Sequence, residues 1–319
     1  MEFADLARWT PIRVDFSGPA PAVYWADLSA ERFAEPFFDE TVAGWASRSR
    51  ARPLVRTGLD ALEALDGEPS LDPSGMIFHL SRCGSTLVSR LLGTLPGVVV
   101  LAEPAPLNAL LGLDPRRVDD VTLARAVRLV VRALGRRLHG DDRSLVLKCS
   151  SWNIRRRAVL AAAFPDTPWV WVQREPARVL ASLFAKPPNW LQVQTAPAQA
   201  ARLFGLDPGA VPAMTRVEFA ARTLGAMLAA AAADPARRLC VDHADLPAAV
   251  WQHVIPHLGL TADATTIERM TAESGFHSKE PAPRVFAGDS AETHQLTDEI
   301  REAARRFADP GYRALAPHP

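Results

Sequence analysis

Short apolar runs and stretches of helical periodicity alternate along most of the chain. The apolar runs have the length of buried strands and lie at 76–80, 98–101, 144–148, 169–173 and 238–242. Apolar residues recur every three to four positions in the stretches between and after them, at 87–95, 121–138, 153–164, 176–184, 212–233 and 247–258. Strands that alternate with helices indicate a parallel sheet covered on both faces. The predicted fold class is therefore α/β, with a three-layer arrangement of helices, parallel sheet and helices.

The ends of the chain lack this alternation. Residues 1–74 are rich in Pro, Trp and Phe and contain short amphipathic pieces such as 28–46. We interpret this segment as an extension whose aromatic residues dock it onto a main domain at 75–319, with the alternative that some of them line a binding pocket. Near the other end, 274–290 is predicted to be a loop and 292–307 a closing helix.

Charge and cysteine content limit the function classes. Lys and Arg together number 36, as do Asp and Glu, so no general electrostatic attraction to nucleic acid or to an anionic membrane is expected. The three widely spaced cysteines favour a reducing compartment over a disulfide scaffold. No signal peptide or membrane-spanning run is recognised, which leads us to expect a cytoplasmic protein. Oligomeric state is not predicted.

The strongest chemical signal is the loop Ser81-Arg82-Cys83-Gly84-Ser85-Thr86, between the first strand of the main domain and its helix. Backbone N–H groups at a helix start attract anions, and the helix dipole adds to the attraction. Gly84 allows close approach, Ser85 and Thr86 offer hydroxyl groups, and Arg82 brings a full charge. An ordinary capped turn between strand and helix explains the same residues equally well.

Two familiar phosphate loops do not fit this segment. A Walker A loop requires a lysine before Ser85, where this chain has Gly84. A cysteine-dependent phosphatase places five residues between its cysteine and its arginine, whereas six separate Cys83 from Arg90. Neither a nucleotide-hydrolysing loop nor a phosphatase loop is favoured.

The segment FHLSRCGSTLVSRLL resembles the 5′-phosphosulfate loop of the sulfotransferase family. The resemblance implies a fold similar to that of the P-loop nucleotide hydrolases. It also implies the donor 3′-phosphoadenosine 5′-phosphosulfate (PAPS), with adenosine 3′,5′-bisphosphate as the product. Arg82 stands where the family has the lysine or arginine that contacts the transferring group. Ser81 and Cys83 depart from the usual proline and serine.

A second segment, WVWVQREPARVLASLF, resembles the family's 3′-phosphate motif. The resemblance makes Arg174 and Ser182 the expected ligands of the 3′-phosphate. Further along, Lys279 and Arg284 occupy a loop that resembles the family's late basic loop, although the usual Arg-Lys-Gly triplet is missing. The resemblance covers about 76 to 290, and no metal ion is implied by it.

Sulfuryl transfer also needs a base and a positive charge near the reacting oxygen. Glu103 follows the second strand and is expected at the carboxyl edge of the sheet, where open α/β folds bind ligands. Several sulfotransferase subfamilies have a glutamate in this region, so Glu103 is the predicted general base; a helix-start carboxylate is the structural alternative. Lys148 ends the third strand and is the second candidate cation beside Arg82; a solvated strand end explains this lysine equally well. His79 is interpreted as a core residue.

The predicted function is sulfuryl transfer to a hydroxyl or amine group of a small-molecule or peptide acceptor whose identity the sequence leaves open. Two alternatives stay open. One is a kinase or other phosphotransferase on the same fold, and the other is a nucleotide-binding protein without catalytic activity. His253 and His257 are one helical turn apart, but no acidic motif accompanies them, so we interpret them as surface or packing residues.

Overall fold

A computed structural model describes residues 6, 8–48, 54–274 and 296–315 of the chain. Its strands are β1 (Thr10–Asp15), β2 (Ala22–Ala26), β3 (Val55–Thr57), β4 (Pro73–His79), β5 (Val98–Ala102), β6 (Ser144–Lys148), β7 (Trp169–Gln173) and β8 (Arg238–Asp242). Its helices are α1 (Phe38–Arg48), α2 (Asp60–Ala64), α3 (Ser85–Leu92), α4 (Ala105–Leu111), α5 (Asp120–Leu134), α6 (Arg157–Ala163), α7 (Pro176–Ala185), α8 (Pro197–Phe204), α9 (Arg216–Ala233), α10 (Ile255–His257), α11 (Ala264–Ser274), α12 (Asp298–Phe307) and α13 (Asp309–Ala314).

Strands β4 to β8 form one parallel sheet in the order β5-β6-β4-β7-β8. Their side chains alternate between two cores, because successive residues of a strand point to opposite faces. In β4, for example, Met76 and Phe78 belong to the larger core and Ile77 to the smaller one. Helices α5, α6, α7, α9 and α12 cover the larger core, whereas α3 and residues of 249–258 cover the other. The predicted three-layer α/β fold is confirmed.

All five predicted strands of this sheet are present within one or a few residues of the predicted bounds. The helices differ more at their ends. Residues Ser151–Arg156 form a 3₁₀ turn before α6, and Val250–Val254 form a π turn before α10. Helix α9 begins after Thr215, whose side chain accepts a hydrogen bond from the N–H of Glu218. Periodicity therefore located these helices, whereas local capping decided where α9 begins.

The first 74 residues contain a structure that the sequence did not predict. Strands β1, β2 and β3 form an antiparallel sheet. Trp25 of β2 is fully buried in the same core as Leu107 and Leu110 of α4, so this sheet packs against the main domain. The predicted amphipathic stretch 28–46 is helical only from Phe38, where α1 begins. The strands were missed because each is short and none shows clear alternation of apolar and polar residues.

The closing helix is α12, which begins at Asp298 after the capping residue Thr297. Residues 275–295 lie outside the described part of the chain, and so do most of the predicted loop and the two basic residues Lys279 and Arg284. None of the helices in the described ranges is both long and apolar enough to cross a bilayer.

Candidate functional site at the carboxyl edge of the parallel sheet

The loop 81–86 joins the end of β4 to the start of α3. Gly84 is the N-cap residue of α3 with φ +87°, and no side chain caps the helix. The first N–H groups of a helix have no intrahelical acceptor, so the start of α3 presents donors together with the positive end of its dipole. This arrangement suits a bound phosphate or sulfate group.

Backbone strain is concentrated at this edge of the sheet. Ser81, Arg82 and Glu103 have φ values of +62°, +47° and +57°, and within the described residues Arg237 is the other non-glycine residue with positive φ. L-amino acids rarely adopt this conformation, because it brings the side chain close to the backbone. Strained residues that the surrounding fold holds in place are frequent at ligand sites. Three of the four are residues that the sequence had already selected.

The side chains of the loop point in different directions. The thiol of Cys83 is buried and donates a hydrogen bond to the carbonyl of Val172 at 3.1 Å, so this side chain belongs to the core and only its backbone can face an anion. Ser85 and Thr86 are also buried, in the first turn of α3. Arg82 donates from Nη2 to the carbonyl of Lys186, just after α7. Its buried Nε has no hydrogen-bond partner in the described part of the chain.

Lys148 and Glu103 form an ion pair on adjacent strands. Lys148 ends β6 opposite Ala102 of β5, and the N–H of Glu103 donates to the Lys148 carbonyl at 2.6 Å. This register brings the Lys148 ammonium into contact with Oε1 of Glu103. The Lys148 side chain is only 1% exposed and that of Glu103 24%, so the pair has a partly buried carboxylate and a fully enclosed ammonium.

Three side chains surround the Glu103 carboxylate. Lys148 contacts Oε1, the hydroxyl of Ser150 donates to Oε2 at 3.0 Å, and Nε2 of His79 lies 3.5 Å from Oε1. Burial alone would raise the pKa of Glu103, but the charge of Lys148, followed by the contact with His79, lowers it well below the usual range. In this arrangement Glu103 is an anion and a weak base.

The N-terminal extension contributes two residues to the same place. The ring of Phe37 lies over the Lys148 ammonium, with 5.1 Å between Nζ and the ring centroid. Asp39, in the first turn of α1, accepts a hydrogen bond from the N–H of Ala105. Partial loss of water and the nearby charge of Glu103 raise the pKa of Asp39. The extension therefore reaches the ion pair directly.

Arg174 and Ser182 belong to the neighbouring strand and helix. Arg174 follows the last residue of β7, which pairs with β4, so it lies at the same sheet edge as the loop 81–86. Ser182 is partly buried in α7, in the second turn after Pro176. The structure thus brings the two predicted phosphate motifs to adjacent strand ends. Their roles as ligands stay predictions.

Four contributors to the site were missed from the sequence, namely Phe37, Asp39, His79 and Ser150. His79 was interpreted as a core residue; it is 6% exposed, but its ring lies against Glu103. Its position two residues before the loop 81–86 was an available signal. Nε2 of His257 donates to the carbonyl oxygens of Trp169 and Arg237, at 3.2 Å and 3.1 Å, which agrees with the surface or packing role predicted for this residue.

Comparisons with known proteins show that the chain is similar in structure to several solved proteins, at low sequence identity. Neither a protein-family model nor a curated protein matches the chain. Among solved structures, the chain is similar to sulfotransferase STF1 from Mycobacterium tuberculosis H37Rv, with 18% identity, a TM-score of 0.43, and 75% of this chain and 77% of that chain covered. It is also similar to sulfotransferase STF9 from Mycobacterium avium, with 16% identity, a TM-score of 0.44, and 79% of each chain covered. A third similarity is to the sulfotransferase domain of the Synechococcus PCC 7002 olefin synthase, with 15% identity, a TM-score of 0.40, and 76% of this chain and 96% of that chain covered.

Proposed function

We propose that this chain is a sulfotransferase that moves a sulfuryl group from PAPS to a hydroxyl or amine group of an acceptor. One observation carries the proposal: the uncapped start of α3 and the Lys148–Glu103 ion pair lie at the same edge of the parallel sheet, at the ends of three adjacent strands. An anion-binding helix start beside a buried ammonium and a carboxylate provides what sulfuryl transfer requires.

The residues present fit a donor with two anionic groups. The N–H groups at the start of α3, the hydroxyls of Ser85 and Thr86 and the Arg82 guanidinium would bind the 5′ end of the donor. Gly84 is needed at this turn, because a Cβ on this residue would lie 2.7 Å from Leu246 Cδ1 and 2.9 Å from His243 Nδ1. Arg174 and Ser182 would hold the 3′-phosphate, and Lys279 and Arg284 are proposed to cover it. The donor, when bound, supplies an activated sulfuryl group that needs no further activation by the protein.

Glu103 is proposed to take the proton of the acceptor. Its present pKa is too low for this, because Lys148 stabilises the carboxylate. Lys148 is the cation that we propose to stabilise the negative charge of the transferring group. A movement of its ammonium towards the donor would weaken the ion pair with Glu103. The pKa of Glu103 would then rise, so the base would become effective only with the donor in place. With the donor bound, the proton would move to Glu103, the acceptor's oxygen or nitrogen would bond to sulfur, and the bond from sulfur to the 5′-phosphate oxygen would break, with adenosine 3′,5′-bisphosphate as the leaving group.

Calorimetry with three nucleotides tests the proposal. Adenosine 3′,5′-bisphosphate is expected to bind at least tenfold more tightly than ATP or GTP, because only it carries both phosphates for which sites are proposed. Each titration is repeated with magnesium. A preference for ATP that depends on magnesium would replace the proposal with a phosphotransferase. Consumption of PAPS is then tested with acceptors that carry hydroxyl and amine groups. If the bisphosphate binds tightly but PAPS is not consumed, the chain is a nucleotide-binding protein without catalytic activity.

A further inference from the structure

His79 lies between the phosphate loop and the ion pair. It is the last residue of β4, and its ring is almost completely buried. Nδ1 accepts a hydrogen bond from the N–H of Ser81 at 3.1 Å. On the other side of the ring, Nε2 lies 3.5 Å from Oε1 of Glu103. One side chain therefore contacts both parts of the candidate site.

The contact with Ser81 determines which ring nitrogen carries the proton. A neutral imidazole has one donor and one acceptor nitrogen. Because Nδ1 accepts from an N–H group, the proton of the neutral ring is on Nε2, which faces Glu103. At 3.5 Å the second contact is at the outer limit of a hydrogen bond, so it acts chiefly as an electrostatic attraction between N–H and carboxylate. Among the residues that the structure describes, Lys148 and Asp39 are further charged groups near this carboxylate.

The contact with Ser81 also acts on the backbone of the loop. Ser81 and Arg82 both adopt the left-handed conformation, which needs support from the surrounding structure. A hydrogen bond from the Ser81 N–H to a buried ring fixes the direction in which the loop leaves β4. The same bond keeps the ring oriented towards Glu103, so loop geometry and carboxylate position are linked.

We propose that His79 is a positioning residue that holds the phosphate loop through Nδ1 and the Glu103 carboxylate through Nε2. This inference deepens the proposed function and rests on it. It assigns His79 two separable tasks, one in nucleotide binding and one in the acceptor's proton transfer. Two substitutions divide these tasks, because the oxygen of asparagine can replace Nδ1 and the amide nitrogen of glutamine can replace Nε2.

In His79→Asn the acceptor for Ser81 is retained and the donor to Glu103 is lost. We expect the affinity of this variant for adenosine 3′,5′-bisphosphate to stay within about threefold of wild type. Turnover of PAPS with water as acceptor should fall at least about tenfold, because the contact with a charged carboxylate is lost. In His79→Gln the donor to Glu103 is retained and the acceptor for Ser81 is lost. Bisphosphate affinity should therefore fall at least about tenfold, and turnover at saturating PAPS should fall less than in His79→Asn. His253→Asn and His253→Gln, at an exposed histidine, are the matched controls and should change neither quantity.

Nitrogen-15 NMR of the full chain tests the geometry without activity. We expect His79 to show an unprotonated Nδ1 and a protonated Nε2 at neutral pH. A proton on Nδ1, or equal effects of Asn and Gln on both affinity and turnover, would overturn the inference. Failure of the proposed function gives a different result, since wild type would then fail to bind the bisphosphate or to consume PAPS, while the NMR spectrum could still show the assigned tautomer.

Discussion

Glu103 and Lys148 test the energetics of the site most directly. Lys148→Met and Glu103→Gln each remove one member of the ion pair and keep the volume of the side chain. The partner left behind differs in burial, because the Lys148 side chain is 1% exposed and that of Glu103 is 24% exposed. Removing the carboxylate therefore leaves an enclosed ammonium without its counter-ion. Removing the ammonium leaves a carboxylate that still contacts Ser150 and some solvent.

These differences set the expected free energies of unfolding. Loss of one partner from a buried pair costs about 3–5 kcal/mol, which is the range expected for Glu103→Gln. Lys148→Met is expected to cost about 1–3 kcal/mol, since the remaining carboxylate retains hydrogen-bond donors. The double variant should be more stable than Glu103→Gln alone, because it contains no unpaired ammonium. The coupling energy should therefore exceed the cost of Lys148→Met alone, about 1–3 kcal/mol, which is above the error of additivity.

Urea unfolding of the four proteins, followed by circular dichroism and tryptophan fluorescence, measures this cycle. The pH dependence provides a second check with a defined sign. The pKa of Glu103 is lowered by folding, so its contribution is present above the usual value of 4.5 and is lost as pH falls below it. The stability difference between wild type and Glu103→Gln should therefore shrink below about pH 4.5. The ion-pair interpretation would be refuted if the free-energy changes of the two single variants add up to that of the double variant. It would also be refuted if the stability difference between wild type and Glu103→Gln grows in acid.

Three further variants test the roles assigned to the site. Gly84→Ala should reduce bisphosphate affinity at least tenfold and stability by about 1–3 kcal/mol, since alanine is strained at φ +87°; unchanged calorimetry would contradict the role of the loop. Arg174→Ala should weaken the binding of adenosine 3′,5′-bisphosphate about tenfold or more, and that of a nucleotide without the 3′-phosphate much less, with exposed Arg178→Ala as the control. Equal losses of affinity for the two nucleotides would exclude a 3′-phosphate contact. Glu103→Gln should lower turnover of PAPS about 10²–10⁴-fold with bisphosphate affinity little changed, and wild-type turnover would disprove its role as base.

The main sheet and the position of the loop could be predicted because their causes are local. An apolar strand such as 169–173 is recognisable from composition alone, and a loop of small residues before an amphipathic helix identifies a helix start that can bind an anion. Arg82, Glu103 and Lys148 were selectable as candidates because Lys148 ends a predicted strand and the other two lie two residues beyond one. Parallel strands place such residues at one edge of the sheet.

What the sequence could not provide was the set of contacts between segments distant in the chain. Lys148 and Glu103 are 45 residues apart, and their pairing depends on the register of β5 against β6. Phe37 reaches the same ammonium only because the extension packs on α4 and α5, a docking that no local pattern specifies. The sequence by itself therefore determined the layers and the edge at which chemistry is expected. Tertiary packing alone decided that Glu103 is a paired anion, that Cys83 belongs to the core, and that His79 joins the loop to the carboxylate, because each depends on neighbours that only the folded chain brings within a few ångströms.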